Sequence, residues 1–126
     1  RKRVEEFGLE GLLGGKGLFV TEPVGYFDML VLEKNSAMIL SDSGGLQEEA
    51  CILRVPCVTL RENTERPETL RIGCNVLAGT DIRRIEGAVA RQMRVRPRWR
   101  NPYGDGTTGR KIARLLGSFL DRRVGA

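Results

Sequence analysis

Short apolar runs alternate along the chain with longer segments whose apolar positions recur at helical spacing. This alternation predicts strand–helix units that feed a parallel sheet, and so an α/β fold. Four runs read as strands, Gly17–Thr21, Ala37–Ser41, Cys57–Arg61 and Asn75–Ala78, each bounded by Gly, Pro, Asp or Asn. Helical patterns lie at Lys2–Phe7, Tyr26–Lys34, Leu46–Arg54, Glu65–Ile72 and Ile82–Met93. Arg94–Gly106, with Pro97, Pro102, Gly104 and Gly106, reads as a connector. After it, Thr107–Leu120 sets Ile112, Leu115, Leu116 and Phe119 at i, i+3, i+4 and i+7, an apolar stripe that needs a covering surface. The expected organisation is therefore one domain over residues 1–106 and a final helix, 107–126, that crosses toward another domain.

Composition narrows the chemistry. At 126 residues the chain falls in the single-domain range, and it has no histidine. The common zinc patterns and any Ser-His or Cys-His pair are thereby excluded within these residues. Cys51, Cys57 and Cys74 are odd in number and lack C-x-x-C spacing, so they read as buried reduced thiols. The formal charge of +5 is densest at Arg91, Arg94, Arg96, Arg98 and Arg100, but that stretch has one aromatic, Trp99, and no recognised nucleic-acid motif. A solvated basic surface is the preferred reading there, with oligonucleotide binding as the rival. Arg1 stands where a Met would be, and neither a leader nor a membrane-length apolar run follows; the expectation is a soluble, cytoplasmic, truncated chain.

The informative stretch is Ser41-Asp42-Ser43-Gly44-Gly45-Leu46-Gln47-Glu48-Glu49-Ala50, where a strand ends in two glycines and a helix begins. Glycines permit φ > 0 and let an anion approach without a Cβ in the way, while free N–H groups of the first helical turn point at it. The alternative is a helix cap at Asp42 or Ser43 followed by a tight turn. No Gly-Lys-Ser/Thr closes the segment and it is not G-x-G-x-x-G, so neither an ATPase loop nor a nicotinamide site is indicated. Glu48 and Glu49 fall in the first turns, where the helix dipole favours carboxylates. A carboxylate so near a diphosphate makes functional sense only where it accepts from both hydroxyls of a ribose. The second constellation is Arg61-Glu62-Asn63-Thr64-Glu65-Arg66-Pro67-Glu68, in which Arg66 sits at a helix amino end that disfavours a cation. Either a neighbouring glutamate pairs with it or a phosphate or sugar faces it.

Taken in order, D-S-G-G-x-Q-E-E-A, T-E-R-P-E and N-P-Y-G-D-G, with Gly25-Tyr26 upstream, resemble the non-hydrolysing UDP-N-acetylglucosamine 2-epimerases in their carboxy-terminal half. The resemblance covers nearly the whole chain. It implies a partial Rossmann-like parallel sheet with flanking helices, the C-terminal half of a two-domain fold like that of the B-type glycosyltransferases. It further implies that Ser43, Gly44 and Gly45 hold the diphosphate, Glu49 the ribose hydroxyls, Arg66 the region between phosphate and sugar, and the backbone of Val24 the uracil. Where the family commonly stacks a phenylalanine on uracil this chain has Met29, with Phe27 as the other candidate. Similar enzymes invert C2 by eliminating and re-adding UDP, with no metal or redox cofactor, in the biosynthesis of cell-surface polysaccharide. Their acid–base groups lie in the amino-terminal domain and in a histidine ahead of the present Arg1, so this chain carries leaving-group binding and no catalytic residue. The implied partners are a UDP-sugar, that amino-terminal domain and a second copy of the whole enzyme; no membrane or nucleic acid is implied. A glycosyltransferase domain and a non-enzymatic nucleotide-binding domain remain the alternatives.

Overall fold

A computed structural model describes residues 2–124. Its helices are α1 (Lys2–Glu6), α2 (Tyr26–Lys34), α3 (Gly44–Leu53), α4 (Pro67–Arg71), α5 (Ile82–Gln92) and α6 (Thr108–Val124). Its strands are β1 (Ile39–Ser41), β2 (Cys57–Thr59) and β3 (Asn75–Leu77), which form one parallel sheet in the order β1-β2-β3. Ile39 pairs with Cys57 and Cys57 with Asn75, so the three strands run in step and end at one edge.

Alternation along the central strand divides the core. Cys57 joins Ile39, Ala50 and Val55 beneath α3, whereas Val58 joins Ala78 and Ala88 beneath α5. Every residue of β2 is buried, as expected for a parallel strand covered on both faces. α3 stops at Arg54, which adopts φ 62°, and the Val55 amide then donates to the Ala50 carbonyl at 2.8 Å. Asp81 caps α5 by accepting from the Arg84 amide at 2.9 Å.

One expected strand does not form. Residues 17–21 are irregular, with Leu18 50% and Phe19 89% exposed, and the sheet has three strands rather than four. A strand exists only through a hydrogen-bonded neighbour, and among the described residues none lies beside this run. The final helix forms as expected, and three residues of its apolar stripe are exposed, Ile112, Leu115 and Leu116, Leu115 to 70%. No helix among the described residues is long and apolar enough to cross a membrane.

Candidate functional site

The glycine turn lies where β1 hands over to α3, at the carboxyl edge of the sheet, the usual ligand edge of an open parallel sheet. α3 begins at Gly44, two residues earlier than the apolar pattern indicates. Ser43 is the N-cap: its Oγ accepts from the Leu46 amide at 3.5 Å, and its own amide donates to the Ser41 Oγ at 3.0 Å. Capping by Ser43 and a phosphate turn are thus compatible, because the cap leaves the first two helical amides, those of Gly44 and Gly45, without a partner among the described residues. The expectation of φ > 0 at these glycines is corrected, since neither has positive φ. A Cβ on Gly44 would meet nothing within 4 Å, and one on Gly45 only the Ser43 Oγ at 3.8 Å. The protein's own packing therefore does not require glycine here; what two missing Cβ atoms provide is open access to two free N–H groups.

Starting the helix at Gly44 also moves Glu48 and Glu49 out of the first turn, so dipole stabilisation is not their main role. Glu49 stands four residues after Gly45, on the same face and about 6 Å further along the axis. It is held from the side by Tyr26, whose hydroxyl hydrogen-bonds to it and whose pKa is raised chiefly by that bond and by the Glu49 charge. Tyr26 begins α2, the helix that packs on α3.

Glu48 turns the other way and pairs with Arg66, with Glu65 4.0 Å from the same guanidinium. Of the two sequence readings of Arg66, the ion pair is thus formed here, and a phosphate would have to draw the guanidinium from Glu48. A buried polar network joins the two motifs. Gln47 Oε1 accepts from Thr64 Oγ1 and, at 3.2 Å, from Asn75 Nδ2, while Asn75 also contacts Thr59 and Thr69. Thr64 Oγ1 in turn accepts from the Arg66 amide at 3.0 Å, which anchors that residue's backbone beside α3.

The third motif closes on the same place. Gly104 and Gly106 have φ of 98° and 79°, a left-handed backbone suited to glycine, and Asn101 Oδ1 accepts from the Tyr103 amide at 2.9 Å. Tyr103 is carried in beside Glu48, where burial first and the Glu48 charge second push its hydroxyl up to about 12. Trp99 pins the connector by donating its Nε1–H to the Cys51 carbonyl at 2.9 Å. Three segments separated by tens of residues therefore meet at α3.

Val24 and Met29 line one cavity of about 520 Å³ together with Val20, Thr21, Glu22 and Pro23. Phe27 is not among its walls; it is 80% exposed, with its ring 5.7 Å from that of Tyr26. The arginine cluster is divided: Arg100 lines a cavity with Arg54, Asn101 and Gly104, whereas Arg91 and Arg94 lie elsewhere. Gln92, at the end of α5, donates to the carbonyl of Cys57 at the start of β2, whereas Arg84, in the first turn, bonds to Glu62 beyond the end of β2. Arg91 and Arg94 thus lie toward the opposite edge of the sheet from the glycine turn.

Sequence reasoning missed two members of this neighbourhood, the Tyr26 hydroxyl on Glu49 and the buried Glu33. Their signal was present: Tyr26, Met29 and Glu33 are i, i+3 and i+7 on one helix face, and a carboxylate in that stripe is out of place.

Residues 2–117 match the family model described as UDP-N-acetylglucosamine 2-epimerase. The chain is 50% identical over 117 residues to the UDP-N-acetylglucosamine 2-epimerase of Methanocaldococcus jannaschii, covering 92% of this chain and 32% of that protein. It is 53% identical over 116 residues to that of Methanococcus maripaludis, covering 91% of this chain and 32% of the relative. The solved M. jannaschii enzyme in complex with UDP-GlcNAc and UDP superposes with a TM-score of 0.84 at 49% identity, over 93% of this chain and 33% of that one. The chain spans about a third of the length of the curated relatives it matches.

Proposed function

Because the chain belongs to the UDP-N-acetylglucosamine 2-epimerase family, we propose that it forms the nucleotide-binding part of an enzyme that interconverts UDP-N-acetylglucosamine and UDP-N-acetylmannosamine by eliminating and re-adding UDP. One observation carries the proposal: α3 opens with two amides, at Gly44 and Gly45, that have no partner among the described residues, and Glu49 stands one turn after Gly45. Diphosphate oxygens accept from those amides, and Glu49 accepts from both ribose hydroxyls, the spacing of one turn matching the passage from phosphate to sugar edge. Ser43 supports the arrangement as cap. The cavity between Val24 and Met29 takes the uracil, with the Met29 thioether against the ring in place of an aromatic.

The donors at Gly44 and Gly45 act on the charge that develops on UDP as the bond to C1 breaks. That is electrostatic stabilisation of a leaving group, and it involves no proton transfer. Arg66 adds a cation between phosphate and sugar once the incoming anion competes with Glu48. Acid–base work at C2 falls to the amino-terminal domain of the complete enzyme, and the exposed Ile112, Leu115 and Leu116 of α6 dock on that domain. Three buried free cysteines suit a reducing compartment, which supports a cytoplasmic location. Homodimerisation of the complete enzyme and a role in polysaccharide synthesis rest on the family likeness alone.

Glu49→Ala is expected to weaken UDP binding by about 1.5–3 kcal/mol, the worth of a charge-assisted hydrogen bond, while pyrophosphate binds as before or slightly better. Arg66→Ala should weaken both ligands. Calorimetric titration of the two variants with UDP and pyrophosphate separates the roles; equal losses for both ligands with Glu49→Ala would reject the ribose assignment.

A further inference from the structure

Glu33 is buried to 2% exposure on the face of α2 that packs on α3, and neither of its carboxyl oxygens has a donor within reach among the described residues. Around it a cavity of about 250 Å³ is walled by Met29, Leu32, Ser36, Met38, Ile39 and Leu40, none of them charged. Among the described residues the charged group that acts on it is Glu49, on the neighbouring helix α3, which also acts on Tyr26 at the start of α2. Two carboxylates cannot hydrogen-bond to each other, since both only accept. A carboxyl and a carboxylate can, through one retained proton, which gives one of the two Glu33 oxygens a partner and removes the repulsion. Burial, and then the Glu49 charge, raise the Glu33 pKa, in keeping with proton retention.

We propose that Glu33 is a positioning residue that donates a retained proton to Glu49, so that Glu33 and Tyr26 together fix the rotamer of the carboxylate that accepts from the ribose. The inference rests on Glu49 being the ribose ligand. Glu49 has two oxygens and must leave one lone pair on each for the vicinal hydroxyls; donors from Tyr26 and Glu33 hold its plane without using those positions. Tyr26 alone, at an exposed helix start, leaves the carboxylate free to rotate about that bond.

The sign of the pH dependence follows. The proton is present at and below the ordinary carboxylate range and is lost as pH rises through the raised value, leaving two facing carboxylates. The preference for UDP over 2′,3′-dideoxy-UDP, which shares its phosphates and lacks both hydroxyls, should therefore decline as pH rises.

The test is titration of the full chain and three variants with these two nucleotides across that pH range. Glu33→Gln keeps a donor that cannot ionise, so the preference for UDP should persist and become independent of pH. Glu33→Leu removes the donor and should reduce the preference about tenfold, leaving dideoxy-UDP binding unchanged. A preference in Glu33→Gln that still declines with pH as in the parent chain would overturn the proposal, and this holds even should Glu33→Leu fail to fold. Glu49→Ala separates the two levels: loss of the preference there with none in Glu33→Leu rejects only the positioning role, whereas an unchanged preference in Glu49→Ala rejects the ribose assignment itself.

Discussion

Alanine at Gly44 and Gly45 is expected to stabilise the fold and to weaken UDP binding at least about tenfold per site. Both residues open α3 with ordinary helical φ, and added Cβ atoms would meet no backbone, so the substitutions remove the helix penalty of glycine without a clash. The gain should approach ~0.5–1 kcal/mol per site, somewhat less in a first turn than in a helix interior. Binding should move the other way. A phosphate oxygen bonded to those amides sits at about 2.9 Å from nitrogen, and a methyl group on the adjoining Cα intrudes on its approach. A loss of at least about tenfold per site, or ~1.4 kcal/mol, is expected. Thermal melting and calorimetric titration on the same samples check both halves, and unchanged affinity with raised stability would reduce the turn to a capped helix start. Such opposed responses are the mark of residues kept for a ligand rather than for the fold.

The second large effect concerns catalysis. These 126 residues alone are expected to exchange no proton at C2 of UDP-N-acetylglucosamine in heavy water, while the same residues joined to the amino-terminal domain of the family should do so. Each general acid or base typically contributes about 10²–10⁴-fold, and the absence of several together with a closing domain removes those factors jointly. The chain has no histidine and covers about a third of its epimerase relatives, so the deficit belongs to what it contains rather than to how it folds. Proton exchange followed by NMR gives the readout. Exchange by the 126 residues alone would refute the division of labour, and none by the joined protein on any UDP-2-acetamido sugar would remove the epimerase proposal. Shortening α6 should impair the joined protein more than it impairs UDP binding if, as proposed, its stripe docks on the other domain.

What the sequence by itself determined is everything that depends on near neighbours along the chain. Apolar runs bounded by Gly, Pro, Asp or Asn marked β1, β2 and β3. Helical spacing marked α2, α5 and α6 within a residue or two at nearly every end. These are local properties, set by backbone sterics and by the 2- and 3.6-residue periods. Only the tertiary structure decided the rest. An apolar run at 17–21 is a strand only beside a partner, and among the described residues it has none. The helix start moved to Gly44 because Ser43 caps through bonds to Ser41 and Leu46, which sequence spacing leaves open. Arg66 met Glu48, Tyr103 reached the same pair, and Glu33 came to face Glu49, each across a distance along the chain that no period encodes. Whether a carboxylate is a solvated surface charge or half of a proton-sharing pair depends on burial and on what faces it, and those are properties of packing rather than of order along the chain.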